Sequence, residues 1–330
     1  MKEALYYEGC GEDIVCKLCP HACIIKEGKR GVCQTRHNTN RRLYALNYAQ
    51  LTSYGLDRME KKPLYHFYPG SSILSIGTWG CNFSCRFCQN HGISKDNPQA
   101  AHLPPEAALK LAIDTCSQKN VGIAYTYSEP LVWFEYILDT VRLVHQSGLK
   151  NVLVTNGFIN KEPLIELLPY IDAMNIDVKA FNNDFYRDIC SGSLREVMQT
   201  VEEAARTCHV EITTLLVPGL NDNLHEIDNL ASWIKSIDEN IPLHFSRYFP
   251  KYKMHLEPTP LETLEEAAKI AGKYLNYVYV GNVSGNRVNT YCPSCNLLLI
   301  DRLNFKSVLT DANKCPQCGF DIKITGTTAI

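Results

Sequence analysis

This sequence predicts an α/β fold: a partial (β/α)6 barrel of TIM-like type, with a small cysteine-rich metal module at each end. Three observations predict it. Between about residue 70 and residue 290, short β-rich runs alternate with longer amphipathic ones, the pattern of repeated βα units on a parallel sheet. Six such units are fewer than a closed eight-fold barrel needs, so the barrel is expected to be open. The cysteines outside that core cluster at metal-type spacings near both termini. The expected divisions are 1–60 for the amino-terminal module, 61–288 for the core, and 289–330 for a zinc-ribbon or rubredoxin-like module.

The strands are expected at SILSIG (72–77), VGIAYT (121–126), NVLVT (151–155), AMNIDVK (173–179), VEITTLLV (210–217) and PLHFSRY (242–248). Helices are expected to begin near Pro104, Pro130, Lys161, Ser193, Asp222 and Thr259, several at a proline or capping residue suited to a first turn. In the second helix Leu131, Phe134, Leu138, Val141 and Val144 recur at helical spacing and should pack on the sheet. Strands feeding such helices place an active mouth at their carboxyl ends.

With 45% hydrophobic residues in 330, the chain can bury a substantial core. The formal charge is −2, from 33 basic and 35 acidic residues, so nothing draws it toward a polyanion, and nucleic acid is not indicated. No run approaches the roughly 18 apolar residues of a spanning helix, and MKEALYYEGCGED lacks a signal-peptide core. These features predict a cytoplasmic protein with no membrane partner. Fifteen cysteines at close spacings in so large a chain then point to metal and not to disulfides.

GTWGCNFSCRFCQN follows the first strand and spaces Cys81, Cys85 and Cys88 as CxxxCxxC, with no fourth cysteine nearby in the sequence. A structural zinc site closes its tetrahedron with four ligands, and electron-carrier [4Fe-4S] clusters use four cysteines. Three thiolates leave one iron open. The bland alternative is an incomplete zinc knuckle or a fourth ligand from far along the chain.

KKPLYHFYPGS followed by GTWGCNFSCRFCQNHGIS resembles the radical S-adenosylmethionine (SAM) superfamily, and within it the radical SAM member of the AmmeMemoRadiSam system, related to pyruvate formate-lyase activating enzymes. The likeness implies a [4Fe-4S] cluster whose open iron binds the amino and carboxylate groups of SAM. Reductive cleavage would then give a 5'-deoxyadenosyl radical that abstracts hydrogen from an unidentified substrate. It also implies that Phe87 packs against the adenine and that Tyr127, Ser128 and Glu129 of YTYSEP meet the SAM amino group, although the glycine pair common in the family is missing. Thr155 and Asn156 of the TNG turn would approach the ribose or carboxylate; as a plain reading, NG is a common turn. Asp177 and Lys179, which share a strand face with Asn175, would contact SAM, and a mutual ion pair is the structural alternative. Val217 would touch adenine, while Pro218, Gly219 and Asn221 simply turn the chain. Implied partners are AMMECR-type and Memo-type proteins and an electron donor such as flavodoxin or ferredoxin.

Cys292, Cys295, Cys315 and Cys318, as two CPxC knuckles, suit a structural zinc ribbon, with iron as the rival metal. Cys16, Cys19, Cys23 and Cys33 suit zinc or an auxiliary iron–sulfur cluster, which spacing does not distinguish, and His21 is a substitute ligand. Cys116, beside Leu111 and Ala112, reads as helix packing. Cys190 reads as an ordinary loop residue or one that acts on substrate. His244 reads either as a buried, hydrogen-bonded histidine or as a substrate contact. Two rival functions stand beside this one: an activase for a glycyl-radical enzyme, and a non-catalytic zinc-ribbon module that binds RNA or protein.

Overall fold

The computed structural model describes residues 1–95, 98–283 and 288–329. Its centre is an open sheet of eight strands: β1 (Ser53–Arg58), β2 (Ser72–Gly77), β3 (Asn120–Tyr125), β4 (Lys150–Thr155), β5 (Ala173–Asp177), β6 (His209–Leu216), β7 (Leu243–Arg247) and β8 (Val278–Gly281). From β2 to β8 neighbours run parallel in sequence order, and β1 pairs antiparallel with β2 at the edge. Helices α1 (Pro105–Asp114), α2 (Phe134–Gln146), α3 (Lys161–Leu167), α4 (Leu194–Ala205), α5 (Leu224–Ile237) and α6 (Leu261–Ala271) alternate with these strands. This is the partial barrel of six βα units, completed by a seventh parallel strand.

Local sequence explains the elements. The parallel strands are apolar runs buried on both faces, as in SILSIG and NVLVT, because helices cover one face and the barrel interior takes the other. In α2, Phe134, Leu138, Val141 and Val144 form the buried stripe that the periodicity predicts. Pro130 opens the short 3-10 turn before α2, and the Glu129 side chain caps that turn by accepting from the Leu131 N–H. In β3 a register shift between Asn120 and Ile123 is repaired by Asn120, whose Oδ1 accepts from the N–H groups of Leu74 and Gly122. Gly122 is obligatory there, since a Cβ would lie 1.9 Å from the Lys150 carbonyl oxygen.

Three expectations need correction. β1 and β8 were not expected: SYGLDR reads as polar, and VYVG is too short to stand out, so tertiary pairing decides both. Ser53–Arg58 therefore pairs with the core sheet, although the sequence grouped it with residues 1–60. Cys116 is not packed into the core: α1 ends at Asp114, and Cys116 is exposed in the 3-10 turn that follows, beside a partly exposed Leu111.

The two cysteine-rich ends attach to opposite ends of the barrel. The amino-terminal segment folds as two small antiparallel sheets, Tyr7–Cys10/Asp13–Cys16/Ile24–Ile25 and Lys2–Glu3/Arg42–Ala45/Arg36–Thr39. It meets the loops at the carboxyl ends of the strands: Asn160 N donates to Leu18 O, and Thr35 Oγ1 to Val132 O. The carboxyl-terminal ribbon, Thr290–Tyr291/Leu298–Asp301/Lys306–Ser307, packs beneath. Its tail bridges Phe67 through Thr325 and meets His209 at the start of β6. Among the described residues no helix is long and apolar enough to cross a membrane.

Candidate active site

Cys81, Cys85 and Cys88 lie on the loop that leaves β2, at the carboxyl ends of the strands. They share a cleft of about 1570 Å³, measured out to its open mouth, with Phe87, Tyr127, Ser128, Glu129, Thr155, Asn156, Asp177 and Lys179. Residues from the ends of β2, β3, β4 and β5 are thus brought together, as the topology requires. Of the residues expected to contact SAM, Val217 lies outside the cleft: it is fully buried past the end of β6, its N–H held by Asn221 Oδ1 at 2.6 Å. Asn221 also donates to the carbonyls of Lys179 and Leu215, so VPGLND is a fastened turn.

Each cysteine is held locally. Gly80, with φ +93°, turns the chain into the loop, and a Cβ there would strike Thr35 and the Cys33 carbonyl. The Cys81 sulfur receives the Phe83 N–H at 3.3 Å and the Asn156 amide at 3.8 Å. Asn156 is itself fixed, donating to Asn82 Oδ1 at 2.9 Å and accepting from Phe158 N–H at 2.9 Å. Ser84 N–H and Arg86 N–H donate to the carbonyls of Cys190 and Ile189, tying the loop to the π-helical turn Tyr186–Cys190. No fourth cysteine is near in sequence, but the fold brings one: the Cys190 thiol hydrogen-bonds that of Cys85. Cys190 is fully buried and is not part of the cleft wall, so it stands behind Cys85 and not on its open side.

Burial and the Glu129 carboxylate push Cys81 well above the usual thiol range; the hydrogen bond with Cys190, and then burial, do the same for Cys85. Such groups give up their protons to a strong electrophile such as iron and otherwise stay neutral. Three thiols opening into one cleft fit a cluster with one iron left free.

Glu129 links two strand ends. Its carboxylate accepts from Thr155 Oγ1 at 2.5 Å, Asn156 N at 2.8 Å and Leu131 N at 3.0 Å, and burial raises it to about 7. Asp177 and Lys179 form an ion pair at 2.8 Å. Although desolvation opposes it, the Asp177 carboxylate holds Lys179 above the ordinary lysine range.

Sequence reasoning missed Asp57, Lys61 and Lys62, which also line the cleft. Lys62 is buried and pairs with Asp57 at 2.8 Å, Lys61 pairs with it at 3.1 Å, and the Tyr127 hydroxyl donates to Asp57 at 3.1 Å. Despite burial, these donors hold Asp57 well below the carboxylate range. The available signal was the lysine pair of KKPLY. Thr213 and Ser246 line the cleft as well, whereas His244 does not: its Nε2 meets the buried Glu211 at 2.6 Å on the barrel floor, so the hydrogen-bonded reading holds.

At the far end of the molecule Cys292, Cys295, Cys315 and Cys318 gather with all sulfurs within 4.8 Å of one another, and with 3.5 and 3.6 Å between pairs. Both knuckles turn on backbone bonds, from Cys292 N to Leu297 O and from Cys315 N to Phe320 O. The set can hold one metal ion.

The family model described as Radical SAM superfamily matches residues 75–234. An uncharacterized protein of Methanocaldococcus jannaschii is 43% identical over 337 residues, covering 98% of this chain and 99% of the relative. The pyruvate formate-lyase-activating enzyme of Staphylococcus epidermidis is 23% identical over 219 residues, covering 61% of this chain and 87% of that one. Among solved structures, SuiB of Streptococcus suis bound to S-adenosylmethionine superposes with a TM-score of 0.52 at 12% identity, covering 66% of this chain and 52% of that one, a likeness of fold. With three cysteines at the mouth of a partial barrel and the family model spanning that loop, this chain belongs to the radical SAM superfamily of enzymes, whose fold implies a [4Fe-4S] cluster and SAM.

Proposed function

We propose that Cys81, Cys85 and Cys88 hold the [4Fe-4S] cluster and that the surrounding cleft binds SAM and an unidentified substrate. The observation that carries this reading is the trio of half-buried thiols opening into one cleft at the strand ends. When bound, the cluster and SAM supply a reductively generated 5'-deoxyadenosyl radical that takes a hydrogen atom from substrate.

The chain's own residues bind, orient and exclude water. The Phe83 N–H and the Asn156 amide donate to the Cys81 sulfur and so favour its electron-rich state. Phe87, 5% exposed, offers a flat apolar wall that suits the adenine. Tyr127, Ser128, Thr155 and the Asp177–Lys179 pair present donors and acceptors for the amino, carboxylate and ribose groups. Glu129 acts through others, holding Thr155 and Asn156 in register. Holding substrate close in a shielded cleft keeps the radical from side reactions.

In this reading the carboxyl-terminal cysteines hold zinc. A zinc–sulfur bond of about 2.3 Å places tetrahedral sulfurs about 3.8 Å apart, close to the observed pairs. Placement in an AmmeMemoRadiSam-type system, with AMMECR-type or Memo-type partners, is supported by the KKPLYHFYPGS and GTWGCNFSCRFCQNHGIS segments. A second reading, activation of a glycyl-radical enzyme, is favoured by the relative named as a pyruvate formate-lyase-activating enzyme. Reconstitution with iron, sulfide, reductant and SAM under anaerobic conditions tests the proposal. We expect 5'-deoxyadenosine from the wild type and background levels from Cys85→Ala. Intact SAM with zinc throughout would instead favour a non-catalytic ribbon module, and a stable glycyl radical on a candidate enzyme would favour the activase.

A further inference from the structure

The amino-terminal cysteines press directly on the mouth of the barrel. The Cys33 carbonyl lies so close to Gly80 that a Cβ there would come within 2.8 Å of it. His21, between Cys19 and Cys23, reaches the Asn82 carbonyl through Nε2 at 2.7 Å, and Asn82 follows Cys81 directly. His21 thus spends that nitrogen on the active-site loop and not on metal.

The thiols of Cys16, Cys19, Cys23 and Cys33 line one enclosed cavity. Their arrangement differs from that of the carboxyl-terminal four. Among the described residues, only Cys292, Cys295, Cys315 and Cys318 bring three or more ligand atoms within 4.8 Å of one another, as a single tetrahedral ion needs. The amino-terminal set shares a cavity without closing to that spacing, and so does the trio at Cys81, Cys85 and Cys88. A cuboid cluster places iron and sulfide between its thiolates and holds them farther apart.

A second observation points to a hydrogen-bond acceptor there. Arg36, 2% exposed, faces the same cavity. Its Nη1 pairs with Glu135 at 2.7 Å and its Nη2 donates to Val132 O at 3.4 Å, but its buried Nε has no partner among the described residues. Four thiolates around an iron–sulfur core carry net negative charge. The buried Arg36 Nε–H beside these cysteines is an unspent donor that a cluster sulfur would satisfy.

We propose that Cys16, Cys19, Cys23 and Cys33 hold a second iron–sulfur cluster, which passes single electrons to the cluster at Cys81, Cys85 and Cys88. The relay rests on the function proposed above; the metal assignment does not. In the transfer the outer cluster is oxidised by one electron and the inner cluster reduced by one, with no bond made or broken. A low-potential one-electron donor protein of the flavodoxin or ferredoxin class restores the outer cluster. The His21 ring and the Asn82 carbonyl join the two loops through one hydrogen bond.

The variant Cys81→Ala/Cys85→Ala/Cys88→Ala, purified anaerobically as the full chain, tests the metal. About four irons with matching sulfide are expected to remain per chain, beside a single zinc. Zinc in place of that iron overturns the proposal while leaving the inner cluster of the wild type intact; a wild type devoid of iron overturns both. Should the triple variant fail to fold, Mössbauer spectra of the iron-enriched wild type decide the same point, two clusters against one. For the relay, Cys19→Ala/Cys23→Ala is expected to lose 5'-deoxyadenosine formation driven by reduced flavodoxin and to keep that driven by a strong chemical reductant. Loss with both reductants, or retention with both, overturns the relay.

Discussion

Gly192 has no room for a side chain: a Cβ would sit 2.2 Å from the Phe83 ring, which lies in the loop between Cys81 and Cys85. Gly192→Ala is expected to displace Phe83, cost about 1–3 kcal/mol by overpacking, and reduce iron retained after reconstitution. Gly92→Ala, a site with nothing within 4 Å, is the control and should leave iron content unchanged. Iron analysis of both variants checks this. Asn156 is the other single residue on which the loop depends, joining Cys81 to Asn82 and to the β4 turn. Asn156→Leu keeps the volume but removes the donor to sulfur, so the inner cluster should become harder to reduce, read as a more negative midpoint in a redox titration. Asn156 was visible in the sequence as part of TNG, but its partners were not, because they are remote along the chain.

Between elements, the decisive polar group is Glu211 on β6. Its fully buried carboxylate accepts from Tyr65 N–H at 3.0 Å and His66 N–H at 2.7 Å, and meets His209 at 3.0 Å and His244 at 2.6 Å. It fastens β6, β7 and the YHF segment into one floor. Glu211→Gln should cost about 3–5 kcal/mol, measured as a lowered denaturant midpoint at constant metal load. Burial opposes ionisation of Glu211, but the two histidines hold it well below its usual 4.5, and burial lowers His66 from 6.5 to about 3. In both cases the folded state binds fewer protons than the unfolded state, so stability rises with pH. The His66 part is complete above about pH 6.5 and fades toward pH 3; the Glu211 part fades below pH 4.5. Acid unfolding should therefore be steep in the wild type and shallower in Glu211→Gln. Helix and strand positions were readable from periodicity because the six βα units are regular. β1 and β8 were not, because edge pairing and not pattern makes them strands.

Across the whole molecule, the two cysteine modules sit at opposite ends of the barrel. The ribbon is held to the floor by Arg302, 7% exposed, whose guanidinium lies over the Tyr65 ring and donates to the Tyr65 carbonyl at 2.6 Å. A small cluster of Tyr277, Tyr279, Leu299 and Ile300 packs around it. Removing its metal in Cys295→Ser/Cys318→Ser should lower the melting temperature and increase hydrogen exchange near residues 62–69, with 5'-deoxyadenosine formation little changed. Calorimetry, exchange and the cleavage assay on one preparation check all three.

By itself the sequence determined the βα core, the three metal-type cysteine groups and the loop at Cys81, Cys85 and Cys88. Each is a local pattern, of hydrophobic period or ligand spacing, and local patterns survive without coordinates. Only the tertiary structure decided that Cys190 stands behind Cys85, that Asp57 and Lys62 line the cleft, that His244 belongs to the floor, and which module faces the mouth. Those relations join residues far apart in the chain, and chain closure and packing, not spacing, bring them together.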